Sequence, residues 1–254
     1  MTTSGGTRTS SCGSRWLSRL VEAARCAVEG SVALLYPPHC LRCGGTLDAL
    51  DILCPMCEAA LPELAGPRCI RCGEAVADSS IDLCLRCGTS VRAVDRFHAL
   101  GPYDSAWGEL ARALKFDRER AIGRFLSARM ARWLRAHGVA ESFDLITFVP
   151  MSPRDRRARG FNQAQLLARG IGHRLRRPVA RTLDKVRRTP PQGSLAAALR
   201  RSNLRDAFRP VRYGNERLLL VDDIGTTAST VEECARALKR AGYRSVDVLA
   251  VARA

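Results

Sequence analysis

Long apolar runs are missing from this 254-residue chain. A membrane-spanning helix needs about 20 predominantly apolar residues, and the longest promising stretch, Ser31 to Tyr36, falls far short. Arg15, Arg19, Glu22, Arg25 and Glu29 interrupt every apolar run near the N-terminus, so neither a membrane span nor a secretory leader is expected. Lysine is nearly absent: Lys115, Lys185 and Lys239 are the only three among 41 basic residues. Aromatic residues make up 6% of the chain, and the most basic segment holds only Phe161 and Phe208. Base-stacking platforms are therefore not evident there. The pattern G-x-x-x-x-G-K-S/T does not occur, which excludes a nucleotide hydrolase of the P-loop type. The four histidines (39, 98, 137 and 173) are scattered and form no ligand cluster.

What is present is first a positive field. The formal net charge is +16. Residues 151–212 hold 17 basic and 3 acidic residues, a net of +14, which leaves the rest of the chain near neutral. An excess confined to one segment points to an anionic partner, a phosphorylated metabolite or nucleic acid.

Second come the cysteines, eleven in all. Eight form four C-x-x-C pairs: Cys40/Cys43, Cys54/Cys57, Cys69/Cys72 and Cys84/Cys87. Thiolates two residues apart can reach one tetrahedral metal. Without a secretion signal, metal binding is favoured over disulfides, and the expected ion is structural zinc, one or two per chain. The spacing contains a repeat: Cys40-Leu-Arg-Cys43-Gly44 reappears 29 residues later as Cys69-Ile-Arg-Cys72-Gly73. Glycine after the second cysteine suits a knuckle that needs positive φ. Two four-cysteine sites follow, by sequential pairing (40/43/54/57 and 69/72/84/87) or interleaved pairing (40/43/69/72 and 54/57/84/87); spacing does not choose between them. Cys12, Cys26 and Cys234 read as small apolar residues.

The chain reads as three parts: residues 1–36, a disordered tail followed by an amphipathic helix; residues 37–90, the cysteine-rich zinc-binding module; and residues 91–254, a domain in which strands alternate with helices. Strands are expected near Phe97–Tyr103, Phe143–Val149, Leu218–Val221 and Ser245–Val251. Helices are expected at Trp107–Phe116, Ile122–Ala136, Phe161–Leu175 and Thr230–Ala241, with a long basic loop over residues 185–203. That alternation implies an α/β fold, a parallel sheet with helices on both faces.

The most informative stretch runs from Leu218 to Thr230. An apolar strand delivers Asp222 and Asp223 to its carboxyl end, Gly225, Thr226, Thr227, Ala228 and Ser229 follow, and a helix begins. Ligands of open α/β sheets bind at such strand ends, and a helix N-terminus offers unpaired amides to a phosphate. Two acids can accept ribose hydroxyls while the phosphate sits in the loop. This arrangement resembles the phosphoribosyl-diphosphate motif of type I phosphoribosyltransferases. The motif's glycine is Ala228 here, and where positive φ is required a Cβ costs about 1 kcal/mol.

A second set of residues narrows the likeness. Arg159-Gly160-Phe161-Asn162-Gln163, Leu114-Lys115-Phe116, Arg188-Thr189-x-x-Gln192, Asn203-Leu204 and Ala207-Phe208 resemble the signatures of the ComF family. That family has a type I phosphoribosyltransferase-like parallel sheet flanked by helices, with an N-terminal cysteine-rich zinc module. The resemblance, over about residues 37–253, implies that phosphoribosyl diphosphate binds with Mg²⁺. Catalytic Asp222 and Asp223 would hold it, with Gly225, Thr226, Thr227, Ala228, Ser229 and Thr230 on the phosphate and ribose. The diphosphate would meet the loop after strand 143–149, through Arg154, Arg156, Arg157 or Arg159, and Lys185 and Arg188 on the long loop, which resembles the flexible hood of this fold. The family further implies a cytoplasmic role in DNA uptake, competence or DNA utilisation, with single-stranded DNA and an uptake machinery as partners.

Three readings stay open on sequence alone: a DNA-handling protein that binds phosphoribosyl diphosphate, an active phosphoribosyltransferase on an unknown acceptor, and a non-catalytic regulator that responds to that ligand. Replacing Asp222 and Asp223 separates simple electrostatic DNA binding, which survives, from the ligand-dependent readings.

Overall fold

The structure is a computed structural model that describes residues 39–47, 51–114, 119–186, 206–225 and 229–254. The expected tail and amphipathic helix within residues 1–36 lie outside these. The chain divides into two compact units, residues 1–57 and 58–254.

The repeated C-x-x-C segments fold alike down to their hydrogen bonds. In the first, Cys40 N–H donates to the Gly45 carbonyl (2.8 Å), Gly44 N–H to Cys40 (2.9 Å) and Leu41 N–H to Ile52 (3.0 Å). In the second, Cys69 donates to Glu74 (2.8 Å), Gly73 to Cys69 (2.8 Å) and Ile70 to Asp82 (2.9 Å). Gly44 (φ 73°) and Gly73 (φ 71°) take the left-handed conformation that the turn demands. Each later cysteine pair ends on a short helix, α1 (Pro55–Ala59) or α2 (Leu85–Gly88).

The larger unit is built on four parallel strands: β1 (Arg96–Pro102), β2 (Leu145–Phe148), β5 (Arg217–Gly225) and β6 (Ser245–Arg253), in the order β1-β6-β5-β2. The run Leu218 to Val221 is fully buried, as a central strand covered on both faces must be. One face packs Leu218, Leu220, Val246, Val248 and Phe97 against helix α7 (Ser229–Arg240). The other is covered by α3 (Ala106–Ala113), α4 (Glu119–Ala136) and α6 (Gln163–Leu175). In α4 the apolar residues recur as Ile122, Leu126, Met130 and Leu134, a stripe at helical spacing, and all four are buried. Asp144 receives three hydrogen bonds from Arg217, including a side-chain pair at 2.8 and 3.1 Å, and so ties the start of β2 to the start of β5.

Three elements differ from the sequence expectation. The stretch after β2 is no simple loop: Pro153–Arg159 forms helix α5, with Pro153 at its first turn and Ser152 capping it through the Asp155 amide (3.1 Å). Gly160 (φ 81°) ends α5, so the helix expected from Phe161 starts at Gln163, behind its cap Asn162. A two-stranded antiparallel pair, β3 (Leu183–Lys185) and β4 (Phe208–Pro210), stands at the base of the expected long loop. Its Leu183 and Phe208 pack under α7, a long-range contact that short three-residue runs do not announce. The residues 187–205 between them lie outside the described residues.

Candidate functional site

The eight paired cysteines come together sequentially: Cys40, Cys43, Cys54 and Cys57 in one group, Cys69, Cys72, Cys84 and Cys87 in the other, with all sulfurs of a group within 4.8 Å of one another. None is in a disulfide. A tetrahedral Zn²⁺ with sulfur at about 2.3 Å sets an S···S edge of about 3.8 Å. Cys43 and Cys54 are 3.8 Å apart and Cys72 and Cys84 3.7 Å, so each group fits that ion. The Cys57 amide approaches the Cys54 sulfur at 3.4 Å, a contact that stabilises a thiolate. Burial pushes the Cys69 thiol up, yet backbone donors around it, from Cys84, Arg71 and Cys72, bring it down to about 7. Among the described residues, Val76 and Leu83 are the apolar side chains packed against the sulfurs of this second group. A core so small needs the metal to hold it.

The second candidate site lies at the carboxyl end of the sheet. Pairing of β2 with β5 stops at Phe148 and Val221, whereas pairing with β6 runs on through Asp222, Ile224 and Gly225. The acids thus stand on the part of β5 that outruns β2, within the strand rather than in a loop. Their carboxylates are partly held by the chain itself: Asp222 accepts from the Asp223 amide and Asp223 from the Ile224 amide, both at 2.9 Å. The alternation that buries Leu218 and Leu220 under α7 puts Asp222 on that side; its charge is among the causes that raise the buried Cys234 thiol, after burial itself. Ser229 and Thr230 open α7. Thr226, Thr227 and Ala228 lie outside the described residues, as does Arg188.

At the carboxyl end of β2 is a cleft of about 580 Å³ whose lining includes Phe148, Arg156, Arg157, Arg181, Asp184 and Lys185. Its walls come from the turn after β2, from α5 and from β3. Asn162 holds this wall in shape: its side-chain amide donates to the Val149 carbonyl (3.0 Å) while its oxygen accepts from the Gln165 amide (3.3 Å). Of the cations singled out in the sequence, Arg156, Arg157 and Lys185 line the cleft. Arg154 is exposed on α5 outside its lining, and Arg159 turns back to the Gln163 side-chain oxygen (3.4 Å). Arg181 was not expected in the wall; it sits just ahead of β3 and pairs with Asp184. The only hint in the sequence was its place in the basic segment.

With both sites described, comparison with known proteins decides the family. Residues 31–88 match the Double zinc ribbon domain. The DNA utilization protein YhgH of Salmonella typhimurium is 33% identical over 209 residues, covering 79% of this chain and 90% of that protein. Competence protein F of Haemophilus influenzae is 30% identical over 226 residues, 85% of this chain and 97% of that one. The chain belongs to the ComF/YhgH family. YhgH of Escherichia coli K12 is a further member, 33% identical, with 67% of this chain and 77% of the relative covered. Among solved structures, a purine phosphoribosyltransferase from Pyrococcus horikoshii overlaps 52% of the chain and 83% of its own length at 18% identity and a TM-score of 0.32. The UMP synthase of Leishmania donovani overlaps 55% of the chain but 24% of its own length, at 20% identity and a TM-score of 0.33. Two ribbons ahead of a parallel sheet are thus the ComF/YhgH organisation in this chain. No helix among the described residues is long and apolar enough to cross a membrane.

Proposed function

We propose that this ComF/YhgH protein binds phosphoribosyl diphosphate at the carboxyl end of β5 and acts, in the cytoplasm, in DNA utilisation or uptake. Asp222 and Asp223 take the ribose hydroxyls, and Gly225 with the residues up to Thr230 takes the 5′-phosphate. The observation that carries this reading is the pair of adjacent carboxylates on the stretch of β5 beyond β2, directly ahead of a twelve-residue helix. Such a strand end is where open parallel sheets hold ligands, and the helix's first amides and dipole favour a phosphate there.

The diphosphate belongs in the neighbouring cleft. Arg156, Arg157, Arg181 and Lys185 supply cations of the kind that spread and neutralise phosphoryl charge. Arg188, in the same basic segment, is a further donor to that anion. Transfer from the anomeric carbon proceeds through a cationic sugar, so the departing diphosphate needs fixed positive groups. Magnesium carried on the diphosphate supplies Lewis-acid neutralisation of the same charge. The carboxylates of Asp222 and Asp223 fit either ribose hydroxyls or hydrated magnesium.

The test is calorimetric titration of the full chain with phosphoribosyl diphosphate and Mg²⁺, alongside Asp222→Ala/Asp223→Ala. Saturable heat that the double substitution abolishes is the expected result. Absence of binding by the unsubstituted protein refutes the assignment. Released diphosphate, assayed with candidate acceptors, then separates transfer from binding alone.

A further inference from the structure

Phe97, at the start of β1, touches two places that the sequence treats as unrelated. A Cβ on Gly73, the residue after zinc-ribbon ligand Cys72, would lie 2.7 Å from Phe97 Cδ1. A Cβ on Gly225, the last residue of β5, would collide with Phe97 Cζ and Cε2. The ring therefore spans from the second cysteine knuckle to the strand end that carries Asp222 and Asp223, and glycine at both ends lets it approach. Phe97 is 6% exposed, so the contact is dry.

Arg253 makes a parallel connection. Its Nε donates to the Cys72 carbonyl (3.0 Å), its Nη2 to Glu74 (3.0 Å), and its guanidinium lies over the Phe97 ring at 6.0 Å from the centroid. In the sheet the same residue pairs with Gly225, and the next amide, Ala254 N–H, donates to the Gly225 carbonyl (3.0 Å). The Phe97 amide in turn donates to the Ile70 carbonyl at 2.7 Å, so the second ribbon also covers the open edge of β1.

We propose that Phe97 and Arg253 are positioning residues that transmit the order of the second four-cysteine site to the end of β5, so that the metal there holds the ligand-binding strand end in place. The metal keeps the knuckle of Cys69 to Gly73 folded. The knuckle holds the Phe97 ring and the Arg253 guanidinium. Those two fix Gly225, the pivot between the acids and α7. Loss of the metal removes the support on one side of Gly225 while the rest of the sheet, whose core is separate, stays paired. The contacts above all lie within residues 58–254, whereas the first cysteine group falls within residues 1–57.

The experiment is hydrogen exchange of the full chain, read on the peptide covering residues 221–233, with zinc content measured on the same samples. Cys84→Ser/Cys87→Ser is expected to lose one zinc and to exchange about tenfold faster at that peptide, the size of a local opening of a supported element. Cys54→Ser/Cys57→Ser is expected to lose the other zinc and leave that peptide unchanged. Phe97→Leu and Arg253→Lys are expected to keep both zincs and still speed exchange there, with α6 unchanged; this pair decides the matter even where the cysteine variant fails to fold. Unchanged exchange at 221–233 in Phe97→Leu and Arg253→Lys overturns the proposal, as does an equal effect from the two cysteine pairs. Titration with magnesium phosphoribosyl diphosphate should show about tenfold weaker binding in the second-site variants, within the usual range for coupled sites. That titration rests on the ligand reading above, whereas the exchange measurement does not, so failure of the one is distinguishable from failure of the other.

Discussion

On β1, one residue beyond Phe97, the side chain of His98 leans on Trp133 of α4, ring centroids 5.2 Å apart, and Trp133 stacks on His137 at 4.0 Å. The Nε2 of His98 is buried with no hydrogen-bond partner among the described residues. Burial, reinforced by the nearby charges of Arg96 and His137, holds the ring neutral and lowers its pKa from 6.5 to about 4. The unfolded chain therefore takes up this proton first as pH falls. The stability His98 contributes is complete above pH 6.5 and drains away between 6.5 and 4. Replacing it with leucine should flatten that dependence: between pH 7 and 4.5 the unsubstituted protein should lose about 2 kcal/mol more than His98→Leu. Urea denaturation at the two pH values measures it. Titration of the zinc thiolates occurs in both proteins and cancels in the difference. An equal loss in both would mean that His98 is not buried neutral.

At the scale of elements, the two ribbons and the sheet are held by different forces. The second ribbon has little but sulfur at its centre, with Val76 and Leu83 beside it, whereas the layer under α7 packs Leu218, Leu220, Leu238, Val246 and Val248. Chelation of zinc should therefore unfold residues 39–90 and leave the sheet intact. Limited proteolysis after chelation is expected to cut within that span while a fragment holding residues 119–186 persists. Unchanged protease resistance with the metal gone would show that the ribbons fold without it. The ribbons were legible in the sequence because each ligand pair is a local pattern, the first of each ribbon with a glycine beside it. Helix α5 was not, since an arginine-rich, solvent-facing turn has no apolar stripe and is defined instead by its cap, Ser152, and its stop, Gly160.

For the whole molecule, the decisive quantity is where the charge goes. Among the described basic residues of 151–212, four line the cleft and others are exposed or ion-paired elsewhere, as Arg177 is with Glu141 and Arg212 with Glu216. Arg156, Arg157, Arg181 and Lys185 gather around the cleft, while Arg154 and Arg169 are exposed elsewhere on the surface. If that exposed field meets single-stranded DNA, affinity should fall linearly in log–log form as salt rises, by about one ion per phosphate contacted. Polarisation of a labelled oligonucleotide across a salt series checks this. Asp222→Ala/Asp223→Ala should keep or strengthen that binding, because it removes two negative charges. A salt-independent affinity would point away from phosphate contacts. The proposed DNA contacts and the proposed phosphoribosyl diphosphate site can thus be examined independently.

The sequence by itself determined the features set by nearest neighbours along the chain. These are the knuckles with their positive-φ glycines, the fully apolar central strand, the α4 stripe and the acids followed by a helix start. Each is dictated by a local period, a cap or a backbone requirement. Only the tertiary structure decided what depends on residues far apart. It chose sequential over interleaved cysteine pairing, because each ribbon closes through its own hydrogen bonds, Leu41 to Ile52 and Ile70 to Asp82. It brought Arg181 and Lys185 to the wall of the cleft through a strand pair of three residues each. And it laid Phe97 between Gly73 and Gly225, a contact between distant parts of the chain that no pattern in the sequence could announce, since it arises from the packing of one sheet edge against a zinc knuckle.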